Sequence, residues 1–318
     1  MLESSRHRLR WLREFFREFL AISRSLLAII VPVLLLLRVL EALGAVRHIG
    51  DALEPAMRLV GLPAETGFAL ASTMVTNIYG GLIVLASLPD LTLTHAQAST
   101  LGGMMLLCHG LILEGAIAKR IGLSFSLHLA LRCGCAMVFG LICHGLFTAF
   151  DIGTDPSSLQ LPQAPDDIAS VDAWLYFQAR NLLLIEAVIF VLLLLKRALE
   201  ASGLDRALTW ALKPLLGLFG VSQRLSSVFA VGITMGLAYG GGMLLQETRR
   251  EGLHPRDVKV SLCFVALFHG VIEDTLAVML IGGDLLAFVL LRLVIAVAAT
   301  FILARVWCVP VCAPPRPG

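Results

Sequence analysis

The sequence predicts an all-α polytopic membrane protein built from two inverted repeats. Each repeat holds three transmembrane helices and a re-entrant helical hairpin. Three observations carry this expectation. First, of 318 residues, 58% are apolar and only 15% are charged, against roughly 45–50% and about 25% in soluble domains. Second, one stretch of about 120 residues is written twice along the chain. Third, the basic residues collect on one membrane face only if two apolar segments enter and leave on the same side.

The composition argues against a soluble enzyme, a disordered chain and a disulfide scaffold. A net charge of +2 offers no global field for nucleic acid. Seven cysteines occur without CxxC or Cys/His finger spacing. They read as small apolar membrane residues, and no metal or cofactor is assigned to them. The sequence has no Walker A motif, GxSxG, HExxH or G-x-G-x-x-G. No enzymatic activity and no nucleotide-driven pumping are expected of these residues.

Residues 1–25 carry Arg6, Arg8, Arg10, Arg13, Arg17 and Arg24 among apolar Leu9, Leu12, Phe16, Phe19 and Leu20. That spacing reads as a basic amphipathic helix lying on anionic membrane lipid. The apolar run 26–37 follows without a small-residue cleavage site, so it is expected to remain as the first span. The arginines then hold the N-terminus in the cytoplasm.

The repeat organises the rest. Leu40-Glu41-Ala42 recurs as Leu199-Glu200-Ala201, and Gly61 as Gly220, at an offset of 159. After one inserted residue the offset becomes 160: Tyr79-Gly80-Gly81 recurs as Tyr239-Gly240-Gly241, His109-Gly110 as His269-Gly270, and Leu131-Arg132 as Leu291-Arg292. The boundaries that follow are repeat one at 26–149, an acidic external connector at 150–179, repeat two at 180–307, and a tail at 308–318. Apolar segments at 26–43, 66–88, 98–118 and 125–149 are echoed at 180–198, 223–246, 258–281 and 285–307. About 20 apolar residues make a span.

If every segment spanned, Lys119-Arg120 would lie outside, and the connector, with five aspartates and no Lys or Arg, would lie inside. Both placements offend the positive-inside tendency. Making the Tyr-Gly-Gly segments re-entrant corrects both. Each unit then has an odd number of spans, so the second is inverted. Inverted repeats with broken helices are typical of secondary transporters.

Ionisable residues recur inside the apolar segments at matched spacing. His109, Glu114 and Arg132 follow Tyr79 by 30, 35 and 53 residues; His269, Asp274 and Arg292 follow Tyr239 by the same intervals. Such residues cost about 2.5–3.5 kcal/mol each on insertion scales, so they should face the interior and be paired. Ion pairs Glu114–Arg132 and Asp274–Arg292 are expected, either as helix clamps or as coupling groups. His269 and Glu273 share a helix face at i, i+4, and with Asp274 form a patch able to carry a proton or a cation. Leu113 stands where unit two has Glu273, so the sequence does not support a fully symmetric metal site. In the hairpins Thr73, Thr76, Asn77, Tyr79, Gly80 and Gly81, with Tyr239, Gly240 and Gly241, are the candidate substrate-binding residues. The alternative for the hydroxyls is bonding back to their own helix carbonyls.

The Tyr-Gly-Gly hairpin, the His-Gly helix followed by an acid, and the doubled unit resemble the nucleoside-recognition, or Gate, domain family. Relatives in that family include spore maturation proteins A and B, the membrane part of ferrous iron transport protein B, and concentrative nucleoside transporters. The resemblance covers most of the chain, about 26–148 and 181–305. It implies a protein of the bacterial inner membrane with a capacity for solute transport; the charge placement in turn puts both termini in the cytoplasm.

The expected function is therefore secondary transport of a small polar solute, nucleoside-like in kind, coupled to an ion gradient. Two alternatives stand beside it: a non-transporting membrane scaffold or assembly factor, and a divalent-cation permease. Membrane lipid, a small-molecule or ion substrate, and a homo-oligomer or partner membrane protein are the expected partners; nucleic acid is not.

Overall fold

The computed structural model describes residues 2–42, 53–88, 91–158, 170–237 and 254–307. Regular structure among them is helical, apart from one isolated bridge between Thr94 and Pro156. Helix α1, Leu2–Ala42, runs through the basic and the apolar part without interruption. A short α2 over 53–59 leads to α3, Thr66–Val75, and α4, Ile78–Ser87. Helices α5, His95–Cys108, and α6, Leu111–Ile121, follow, then α7, Phe125–Ala149. The second half holds α8, Val171–Ala201, α9, Leu204–Phe219, and α10, Ser226–Met235. It continues with α11, Pro255–Leu267, α12, Glu273–Val278, a wide π turn Ala287–Leu291, and α13, Arg292–Val306.

Among the described residues, four helical stretches are long and apolar enough to cross a membrane: His95–Ile121, Phe125–Ala149, Val171–Leu195 and Ala287–Val306. Large apolar side chains are exposed on them and on α1, among them Leu36, Leu183, Val191, Val294 and Ile302. Exposed apolar surface on this scale suits lipid, not water.

Local sequence sets where these helices start and stop. Thr94 and Gln97 form a reciprocal capping box that opens α5. Gly122, at φ +114°, turns the chain out of α6, whose last-turn Lys119 and Arg120 complement the helix dipole. Ser124 then accepts from the Leu127 amide at 3.2 Å and starts α7.

Helix α4 folds back along α3. A Cβ on Gly81 would stand 2.9 Å from the Ala69 carbonyl oxygen, and the Thr73 side chain lies against the same face. Gly80 faces Ser72 and Thr76 in the same way. Each of the two helices is about 15 Å long at 1.5 Å per residue, half the thickness of a bilayer core. Gly80 and Gly81 are ordinary helical residues, not the turn itself: the break falls earlier, at Thr76-Asn77. These glycines are needed because the two helices approach closely.

Helices α1 and α8 lie side by side with opposite direction. Along α1 the contacts run from Glu18 to Ser23 to Arg38; along α8 they run back from Arg197 to Glu186 to Trp174. Arg197 reaches Glu18 at 2.5 Å, the Ser23 hydroxyl donates to Glu186, and the Arg38 guanidinium sits 5.9 Å over the Trp174 ring. Phe15 and Phe19 both pack edge-on against Phe190, at 5.1 and 5.4 Å.

The segments containing His109-Gly110 and His269-Gly270 are both broken in mid-course, whereas His144-Gly145 lies within the unbroken α7. Helix α5 stops at Cys108, His109 is extended, Gly110 takes φ +60°, and α6 resumes at Leu111. Likewise α11 stops at Leu267, Gly270 takes φ +58°, and α12 resumes at Glu273. Only glycine enters that left-handed region without strain. The apolar runs 98–118 and 258–281 are thus discontinuous helices, not unbroken spans.

Candidate site at three helix breaks

The chain breaks at Thr76-Asn77, His109-Gly110 and His269-Gly270, and backbone hydrogen bonds tie these places to their neighbours. The Gly110 amide donates to the Thr73 carbonyl at 2.9 Å. In the second unit the Val271 amide, one residue past the counterpart of Gly110, donates to the Ile233 carbonyl at 3.3 Å. Breaking a helix leaves its last carbonyls without partners, and these must be satisfied inside a membrane. Two arginines do part of this. Arg132 Nε donates to the Leu107 carbonyl at 2.7 Å, and Arg292 Nε donates to the Leu267 carbonyl at 2.9 Å. Both arginines are almost completely buried.

The expected Glu114–Arg132 pair is present; Arg132 Nη1 donates to Glu114 Oε2. The second unit departs from this. Arg292 Nη2 donates to the His269 carbonyl at 2.7 Å, and Asp274 Oδ2 lies 3.6 Å from His109 Nε2. The expected Asp274–Arg292 ion pair does not form, because the break turns the His269 carbonyl toward the guanidinium and Asp274 toward the other unit.

The two histidines meet. His109 Nε2 lies 3.0 Å from His269 Nε2. Glu114 Oε1 is 3.0 Å from His269 Nε2 and 3.6 Å from His109 Nε2. Tyr79 donates its hydroxyl to Glu273 Oε1 at 3.1 Å, joining the first hairpin to α12. Tyr79, His109, Glu114, Arg132, His269, Glu273 and Asp274, all marked by the sequence, therefore fall within one cluster around the breaks. Arg292 touches it through the His269 carbonyl.

A cavity of about 350 Å³ opens on this cluster, lined by Ala21, Ile22, Asn77, Ile78, Tyr79, His109 and Asp274. Its walls are mostly apolar with a few convergent polar groups, the usual character of a small-molecule site. Asn77 caps α4 by accepting from the Gly80 amide at 2.9 Å, which still leaves its amide NH2 to offer. The hairpin hydroxyls are turned elsewhere. Thr73 donates to the Ala69 carbonyl at 2.7 Å and Thr76 to the Ser72 carbonyl at 2.6 Å. Gly80 and Gly81 pack against α3 and do not line the cavity. Tyr239, Gly240 and Gly241 lie outside the described residues.

Several residues that line the site or are buried with unpartnered polar atoms carry no mark in the sequence. Ala21 and Ile22, on the segment read as interfacial, help to line the cavity. His128 on α7 is fully buried, with neither ring nitrogen partnered among the described residues. Asn181 on α8 is buried with both amide atoms unpartnered in the same sense. Neither has a repeat counterpart of the same type: Phe288 stands 160 positions after His128, and Ile22 stands 159 before Asn181. Duplication is the signal that marks the central residues, and it is blind to unmatched ones.

Residues 23–124 match the Gate family model, described as nucleoside recognition. The match runs from within α1 to just past α6 and takes in the hairpin, His109 and Glu114. The chain is also similar to the uncharacterized membrane protein YvoD of Bacillus subtilis (strain 168): 29% identical over 291 residues, which span 88% of this chain and 89% of the relative. No solved structure matches. The protein is a membrane protein whose residues 23–124 are similar to the Gate domain.

Proposed function

We propose that this membrane protein is a secondary transporter of a small polar solute, nucleoside-like in kind, coupled to an ion gradient. One observation carries the reading. The cavity of about 350 Å³ takes part of its lining from two helix breaks, through Asn77 and His109, opposite Ala21 and Ile22 of α1. Discontinuous helices expose backbone groups and helix ends to a bound solute, which is how secondary transporters build sites within the membrane. The buried acid–histidine cluster behind the cavity supplies ionisable groups for coupling. The description of the Gate family names nucleosides as the solutes to try first.

The pseudo-symmetric arrangement supports an inverted repeat. Helices α1 and α8 are repeat counterparts and run antiparallel along each other. His109 and His269 are counterparts and touch. Two units related by a two-fold axis in the membrane plane would give both results. The short α3–α4 hairpin then enters and leaves on one face, with Lys119-Arg120 inside, Asp155 outside and both termini in the cytoplasm.

The test is a thermal-stability screen of the purified full chain in detergent. The panel holds nucleosides, nucleobases and small carboxylates, each with and without sodium and at two pH values. A ligand at 100 times its Kd should stabilise the native state by about 2.7 kcal/mol. A shift with one organic class, followed by its uptake into proteoliposomes, supports the transporter. No shift and no uptake of any member would remove it in favour of a scaffold.

A further inference from the structure

The ring nitrogens of the two central histidines have assignable roles. His269 Nδ1 lies 2.9 Å from the Val265 carbonyl oxygen. His109 Nδ1 lies 3.1 Å from the Leu106 carbonyl oxygen and 3.3 Å from that of Met105, with Arg132 Nη2 farther away at 3.4 Å. A carbonyl only accepts, so the nearest partners assign the hydrogen to Nδ1 in both rings. In each neutral ring Nε2 is then a bare lone pair. These two bare nitrogens face each other at 3.0 Å. Glu114 Oε1 and Asp274 Oδ2 add two more acceptors, the first within 3.0 Å of His269 Nε2 and the second 3.6 Å from His109 Nε2. Acceptors that converge in a buried place need an electropositive occupant.

We infer that His109, His269 and Asp274, with Glu114 beside the histidines, form a binding site for a first-row divalent cation of the Zn²⁺ class. Imidazole and carboxylate are the ligand set that suits such ions. Two ligands each 2.0–2.1 Å from a tetrahedral ion stand roughly 3.3 Å apart. The separations of 3.0 and 3.6 Å found here fall on either side of that value. The ligand atoms of His109, His269 and Asp274 all lie within 4.8 Å of one another.

The outer contacts match as well. Ligating histidines commonly give their other N–H to a backbone carbonyl, which fixes tautomer and ring orientation. Both rings have that arrangement. Arg132 holds the second oxygen of Glu114 and leaves Oε1 directed at the histidines. The cation would join the two broken helices at the inner wall of the cavity. The site stands apart from the identity of any organic solute.

The test uses the full chain in detergent, stripped with a chelator and desalted. Zn²⁺ is titrated calorimetrically, and Co²⁺ is followed by its visible absorption. One equivalent per chain is expected, with the intense absorption of a four-coordinate cobalt site. His109→Gln and His269→Gln should each weaken Zn²⁺ binding at least tenfold, while His144→Gln on α7 leaves it unchanged. Should the first two variants fail to elute as folded protein, X-ray absorption at the zinc edge of the unmodified chain decides: a nitrogen and oxygen shell without sulfur is expected. Absence of binding by the unmodified chain, a thiolate shell, or unchanged affinity in folded His109→Gln would overturn the inference. A chain that takes up an organic solute but binds no Zn²⁺ loses this site and keeps the transport reading. A chain that binds Zn²⁺ but takes up no solute does the reverse.

Discussion

Arg132 Nε donates to the carbonyl of Leu107 across 2.7 Å, and the same guanidinium pairs with Glu114 beyond the break. One side chain therefore ties the end of α5 to the start of α6. The repeat places Arg292 on the Leu267 carbonyl by the same geometry.

Replacing Arg132 by Met should cost about 3–5 kcal/mol, because Glu114 then keeps a buried charge without its partner. Arg132→Lys keeps a charge but offers a point donor in place of a planar fork, so it should lose part of that amount. Unfolding of the purified variants in detergent checks both. A Met variant as stable as the unmodified chain would show that the clamp is not needed.

Glycines at two kinds of position should respond oppositely to Ala. At Gly81 the new Cβ would sit 2.8 Å from the Met105 methyl and 2.9 Å from the Ala69 carbonyl oxygen. Overpacking of that order costs about 1–3 kcal/mol. Gly134, within α7, has nothing within 4 Å of the same point. There Ala should be neutral or stabilise by about 0.5–1 kcal/mol, through lower chain entropy in the unfolded state. Paired melting curves of Gly81→Ala and Gly134→Ala decide this.

Tyr79→Phe removes the hydroxyl that donates to Glu273 and keeps the ring that lines the cavity. A hydrogen bond to a charged group contributes about 1.5–3 kcal/mol. The variant should stay folded and lose solute-dependent stabilisation, with Kd raised about tenfold, equivalent to about 1.4 kcal/mol. Retention of full solute affinity would take Tyr79 out of the site.

The proposed topology places Asp155 outside and Lys119 in the cytoplasm. In a background without the native cysteines, Asp155→Cys should react with a membrane-impermeant maleimide in intact cells, and Lys119→Cys should react only after lysis. Asp155 is exposed next to the start of α5, so burial does not interfere with the readout. Labelling in the reverse order is the result that unbroken spans give and would end the re-entrant scheme, and labelling of both from one side would show that α7 does not cross the membrane.

The residues of the site are legible in the sequence where chemistry is duplicated. Tyr79, His109, Glu114, Arg132, His269 and Asp274 are marked by matched intervals, and they come together at the breaks. Glu273 is marked by its place beside His269, and it reaches Tyr79. Two points are less legible. Gly80 and Gly81 suggest a turn, yet they serve close packing, because glycine permits both and only the neighbouring helix distinguishes them. His109-Gly110 and His269-Gly270 sit in what reads as continuous apolar span, yet each is a break, while His144-Gly145 sits in α7 without breaking it. Apolar character sets membrane residence and is indifferent to whether a helix pauses within it.

Composition alone determined that the protein lives in a membrane, since burial in lipid needs only enough apolar side chains. The internal repeat and the candidate ionisable groups were likewise written in the residue order. The tertiary structure decided which acid each cation meets: Arg132 takes Glu114, while Asp274 turns to His109 across the repeat boundary. It also decided that His109 and His269, 160 positions apart, face each other through their Nε2 atoms at 3.0 Å. That contact depends on two helix breaks being brought together by packing, and no local pattern of side chains encodes the distance between two such breaks.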